Sequence, residues 1–185
     1  MPTIITSALV AGFFALSGTN AVSAPEAPEI NELPTYTVAM TSYNAVPAQT
    51  DSDPWTTASG LRSNPEIIVA RSQDLADELP FGTVIAVTRA AEDTHNCGFS
   101  KVEDRIGYRV VGDAMNARMR NKIDLLLDHN DTLTVGGVAR NPSRVLGYCD
   151  QVNVQVIGFM DLKEVPTTQT ELITMVEQSR IASAR

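Results

Sequence analysis

The chain has 185 residues, which suits one globular domain of about 150 residues with extensions at its ends. Hydrophobic residues make up 43%, enough for a single core, and this excludes disorder throughout. Fourteen Lys and Arg against 22 Asp and Glu give a net charge of −8, which argues against a nucleic-acid partner because a phosphate backbone needs cations to displace its counterions. An aromatic content of 5% excludes a wide aromatic binding floor, and two cysteines exclude a disulfide-dense miniprotein or a Cys-rich zinc module.

No charged side chain precedes Glu26, and Ile4–Leu16 forms an apolar run of 13 residues. That length fits the hydrophobic region of a signal peptide and falls short of the roughly 20 residues of a spanning helix. Ala21-Val22-Ser23-Ala24 supplies small residues for cleavage, so residues 1–24 are expected to direct export as a signal peptide or an uncleaved membrane anchor. No Lys or Arg precedes the apolar run, and a misplaced start codon is the alternative. Residues 25–35, rich in Pro and Glu, read as a linker.

The folded part opens with a predicted strand at Tyr36–Thr41. Pro47, Pro54, Gly60 and Pro65 then punctuate a long excursion over 44–65. Ile67–Ala70 is a short apolar run expected as a buried strand, and Ser72 caps a predicted helix over 73–79 that Pro80 ends. Thr83–Val87 is the next strand. Residues 89–105, with Cys97, read as a polar loop. Tyr108–Val111 and Ile123–Leu127 are further strands, and Val152–Ile157 alternates with period 2 and closes the domain. Short strands with one short helix predict a mainly β fold, a small barrel. After Pro166, Thr168 and Glu171 form a candidate capping box for a helix to about Ile181, within a tail (160–185) expected to be peripheral to the core.

Three carboxylates stand out by context: Asp51 in the excursion, Asp113 directly after a β-rich run, and Asp124 inside the apolar run Ile123–Leu127. Asp124 either faces water from an edge strand or is held in a cleft. In a cleft, lost hydration and a second carboxylate would both raise its pKa, as a general acid requires. Asp113 reads equally as the start of a turn.

Tyr36–Gly158 resembles the 3D domain, named for three aspartates, of bacterial cell-wall proteins. The resemblance rests on Thr41-Ser42-Tyr43-Asn44, Gln49-Thr50-Asp51, Thr57-Ala58-Ser59-Gly60, Ile68-Val69-Ala70 and Leu79-Pro80-Phe81-Gly82-Thr83, and on Asp113 and Asp124 standing 11 positions apart. It implies a six-stranded double-psi β-barrel with one or two short helices over 36–159, similar to the catalytic domain of membrane-bound lytic transglycosylase A. Two features depart from the family pattern: Ala114-Met115 after the second aspartate, and an expanded connection over 128–151 holding Gly136-Gly137 and Cys149.

The resemblance implies an exported enzyme acting on peptidoglycan glycan strands. It implies Asp124 as a general acid and base, Asp113 as a charge-stabilising or sugar-orienting group, and Asp51 as support for the cleft with Thr57 and Ser59. Tyr43 and Trp55 either stack on sugars or pack. A non-catalytic glycan- or protein-binding module on the same barrel is the alternative, since a fold does not determine an activity.

Cys97 and Cys149 both fall in expected loops, and in an exported chain they are expected to pair; two free thiols are the alternative. His95 and His129 show no ligand-like spacing with them, so no metal site is expected. With no P-loop, GxGxxG or GxSxG motif, no cofactor is expected either.

Overall fold

Runs of β-branched residues become strands wherever Gly, Pro or a polar turn bounds them. A computed structural model describes residues 33–50, 53–91 and 97–183. The expected export segment, the linker up to residue 32, Asp51 and His95 lie outside the described residues. The strands are β1 (Thr35–Tyr43), β2 (Ile68–Arg71), β3 (Thr83–Arg89), β4 (Tyr108–Ala114), β5 (Lys122–Leu126), β6 (Leu133–Val135), β7 (Val138–Arg140) and β8 (Cys149–Phe159). The helices are α1 (Phe99–Val102), α2 (Pro142–Leu146) and α3 (Gln169–Ser183).

Six strands close into a barrel in the order β1-β5-β2-β4-β3-β8. The β1–β5 and β2–β4 pairs are parallel and the other four are antiparallel. Exchanging β1, β2 and β3 for β4, β5 and β8 reproduces both the ring order and the parallel pairs. The chain therefore consists of two interleaved halves related by a two-fold in connectivity, the double-psi arrangement. No repeat in the sequence announces this symmetry.

Two apolar clusters occupy opposite faces of the strands. One takes Val38 and Met40 of β1, Val69, Ile85, Val111, Ile123, Leu125 and Val152. The other takes Tyr43, Ile68, Ala70, Val84, Val110 and Leu126. Because β2, β4 and β5 are covered on both faces, their sequences read as continuous apolar runs rather than alternating ones.

Three expectations need correction. The predicted helix over 73–79 is only a 3-10 turn, Gln73–Leu75, closed by the Ala76 amide on the Gln73 carbonyl at 3.2 Å. Ser72 makes no side-chain cap there; its Oγ accepts the Lys122 amide at 3.1 Å. The connection from Arg71 to Thr83 is short and buries both Leu75 and Leu79, and only one 3-10 turn forms within it. The span 89–105 is not all loop, because Phe99 and Val102 are buried one helical turn apart in α1. Nor is the tail peripheral: Leu172 and Val176, at i and i+4 on α3, are 0% and 5% exposed within the second cluster. The capping box forms as expected, the Glu171 amide donating to Thr168 Oγ1 at 3.3 Å and the Thr168 amide to Glu171 Oε2 at 3.2 Å.

Within 128–151, Gly136 and Gly137 carry φ of 58° and 77° and turn the β6–β7 hairpin, a conformation side chains resist. Asn141 caps α2 through the Ser143 amide and donates to the carbonyls of Asp128, His129 and Asp131. Cys97 and Cys149 form a disulfide, their Cα atoms 5.1 Å apart, joining the start of α1 to the start of β8.

Candidate active site

Strand register assembles a row of side chains that are distant in sequence. Parallel pairing sets Thr41 of β1 beside Asp124 of β5. Antiparallel pairing sets Asp124 beside Ala70 of β2, and parallel pairing sets Ala70 beside Asp113 of β4. The row runs Thr41, Asp124, Ala70, Asp113 across four strands, and at about 4.8 Å per strand the two aspartate backbones stand roughly 10 Å apart. Asp113 reaches this row through a bulge. Val69 faces Val111 but Ala70 faces Asp113, so Gly112 is an extra residue that turns Asp113 onto the Asp124 face.

Gly112 also has a packing role. A Cβ there would stand 2.9 Å from Ile68 Cδ1 and 3.1 Å from Leu61 Cδ1, so a larger residue would have to push these two side-chain ends aside for the turn over 57–61 to lie down on β4. The Ser59 amide donates to the Gly112 carbonyl at 3.3 Å, and the Ala58 amide donates to Asp113 Oδ1 at 2.9 Å. Asp113 Oδ1 also accepts its neighbour Ala114 amide at 2.8 Å, and Oδ2 accepts the Tyr43 hydroxyl at 2.6 Å. Asp113 thus clasps the excursion loop, β1 and its own strand. Burial beside that carboxylate pushes the Tyr43 phenol well above its ordinary range, which keeps it a neutral donor.

Asp124 has a different environment. Thr41 Oγ1 donates to its Oδ1 at 2.8 Å, and no described residue donates to Oδ2. Burial pushes its carboxyl up to about 6, with the Asp113 charge adding a small push; the Thr41 bond and the Lys122 charge pull the other way. Asp124 is therefore a carboxyl that holds its proton far above the ordinary range while remaining open to solvent-filled space.

That space is a cleft of about 490 Å³ lined by Tyr43, Thr57, Asp113 and Asp124, with Gln49, Asp53 and Asn116 among its polar walls. Four of the expected site residues therefore share one cleft. Ser59 stands behind its wall, 3.2 Å from Thr57 Oγ1. Trp55 is 60% exposed at the rim, between cleft-lining Pro54 and Thr56, so it does not pack in the core. Among the described residues, no group of three His, Cys, Asp or Glu is placed to hold a metal ion.

Sequence reasoning passed over Thr41 and Arg109. Thr41 stands two positions before Tyr43 and so shares its strand face, a period-2 signal available in the sequence. Arg109 carries no such signal. It is fully buried beneath the site and donates to the carbonyls of Ile106, Pro65, Ile68, Leu126 and Arg105. Burial lowers its pKa to about 10, and the guanidinium stays charged at neutral pH within electrostatic range of Tyr43. No family model matches the chain, and no curated protein matches it.

Proposed function

We propose that the protein cleaves the β-1,4 bond between N-acetylmuramic acid and N-acetylglucosamine in peptidoglycan, as a lytic transglycosylase. The observation that carries this reading is Asp124: a half-buried carboxyl with pKa raised to about 6, anchored on one oxygen only and open to a cleft. The substrate class comes from the resemblance of Tyr36–Gly158 to the 3D domain, and the barrel is the fold that this resemblance implies.

Asp124 gives its proton to the glycosidic oxygen as the bond to the muramoyl anomeric carbon breaks. The resulting carboxylate takes the proton of the muramoyl C6 hydroxyl, whose oxygen closes onto that carbon, leaving a 1,6-anhydro end. Thr41 holds Asp124 in place through both steps. A water-using glycosidase needs a second working carboxylate as nucleophile or base. Asp113 has both oxygens committed to Tyr43 and to two backbone amides, which favours a mechanism with one working acid. The exposed face of Trp55 at the rim suits stacking on a sugar ring.

Mass spectrometry of peptidoglycan digested by the purified protein tests the reading. Anhydro-muramoyl ends are expected. Reducing ends would replace this mechanism with hydrolysis, and undigested material would leave the alternative of a binding module.

A further inference from the structure

The loop that joins the two aspartate-bearing strands carries a charge opposite to that of the molecule. Residues 115–122 read MNARMRNK, with Arg118, Arg120 and Lys122 and no acid, in a chain of net charge −8. Met115 and Asn116 at its start line the cleft. Asn116 Oδ1 accepts the Arg118 amide at 3.1 Å and Arg118 Nε at 3.3 Å, which ties that side chain to a cleft-lining residue although Arg118 does not itself line the cleft. Lys122 Nζ stands 5.0 Å from the centroid of the Tyr148 ring, and its charge acts on Asp124. Among the described residues, no carboxylate forms an ion pair with Arg118 or Lys122, while the charge of Arg120 acts on Asp74, which accepts the Asn121 amide.

The loop is held in shape by its own bonds. The Met119 amide donates to the Asn116 carbonyl at 2.9 Å, and Arg120 Nη1 donates to the carbonyls of Ala117 and Met119. Asn121, in the left-handed region at φ 46°, donates its amide to Asp74 Oδ2 at 2.9 Å. Meanwhile the cleft walls carry Asp53, Asp113 and Asp124, which repel an anion. A ligand that satisfies both regions is neutral over the aspartates and anionic at the lip.

We propose that the 115–121 loop, with Lys122 at the start of β5, binds carboxylate groups that hang from a neutral glycan backbone lying over Asp124. The proposal rests on the glycan reading of the cleft and deepens it: the preferred substrate is the acid-bearing strand rather than a bare neutral one. Arg118 supplies a planar fork suited to a carboxylate, with Arg120 and Lys122 adding local positive potential.

The test measures binding of the full chain to three soluble probes: peptide-bearing glycan strands, strands stripped of their peptides by an amidase, and the neutral tetramer of N-acetylglucosamine. The peptide-bearing strands should bind about tenfold more tightly than the neutral tetramer at low salt, and the advantage should fade near 0.5 M salt, at about which charges are screened within a few ångströms. R118A/R120A should lose about three- to tenfold of that affinity, whereas R118K/R120K, which keeps the charge, should retain most of it. A loss confined to peptide-bearing strands assigns the stem-peptide carboxylates; a loss that extends to stripped strands assigns the lactyl carboxylate of the sugar. Equal affinity for all three probes, or R118A/R120A binding like wild type, overturns the proposal even if cleavage proceeds. Conversely, salt-dependent binding without any cleavage product removes the enzymatic reading and leaves the loop's role standing.

Discussion

In the proposed mechanism Asp124 can give a proton only while it is protonated, and the same titration governs its effect on stability. Asp124→Asn keeps the shape and the Thr41 contact but removes the proton, so cleavage should fall about 10²–10⁴-fold in a product assay. With the wild-type protein, kcat should fall as pH rises through about 6, because the acid form is then lost. The same shift makes folding pH-dependent. Folded Asp124 titrates near 6 and unfolded Asp near 3.9, so the folded state binds the proton more tightly. Its stabilising contribution is therefore complete below about pH 4 and lost as pH rises through 6. Asp124→Asn should be about 2–3 kcal/mol more stable than wild type at pH 7 and no more stable near pH 3.5, read from urea midpoints. A variant that is inactive yet more stable separates a working acid from a structural one.

At the level of elements, α3 and the disulfide hold the periphery to the barrel. Leu172 is completely buried where α3 meets the second cluster, so Leu172→Ala should cost about 2–5 kcal/mol in denaturant unfolding. Reduction of Cys97–Cys149 frees a loop of 52 positions and should cost about 4 kcal/mol, seen as a lower melting temperature with reductant. The strands were legible in the sequence because β-branched residues cluster between turn formers, and Asp124 was legible as a lone charge in an apolar run. The helix at 73–79 misled because a cap and a terminating Pro mark only the ends of a segment, and this one is too short to be regular. The buried face of α3 was missed because its apolar residues form no single stripe: Ile173 and Ile181 are exposed while Leu172 and Val176 are buried. The register of the Thr41-Asp124-Ala70-Asp113 row was not legible from the residues; the resemblance implied only that Asp113 and Asp124 serve one site. That register depends on which strands pair across 83 positions in one case, and on one extra residue at Gly112 in another.

For the whole molecule, Arg109 is the cross-brace: one guanidinium donates to carbonyls of β2, β5, the segment before β2 and the turn before β4. Lysine carries a single ammonium with three donors and cannot reproduce that fork, so Arg109→Lys should cost at least about 2–3 kcal/mol despite keeping the charge, measured by thermal unfolding. The interleaved connectivity reaches further than stability, into the timing of synthesis. β8 is the neighbour of both β1 and β3, so the ring stays open until residues 149–159 leave the ribosome. Until then β1 and β3 each present an unpaired edge, and Cys97 has no partner thiol to meet. A chain that lacks residues 149–159 can therefore complete neither the barrel nor the cross-link, because one strand both closes the ring and carries Cys149.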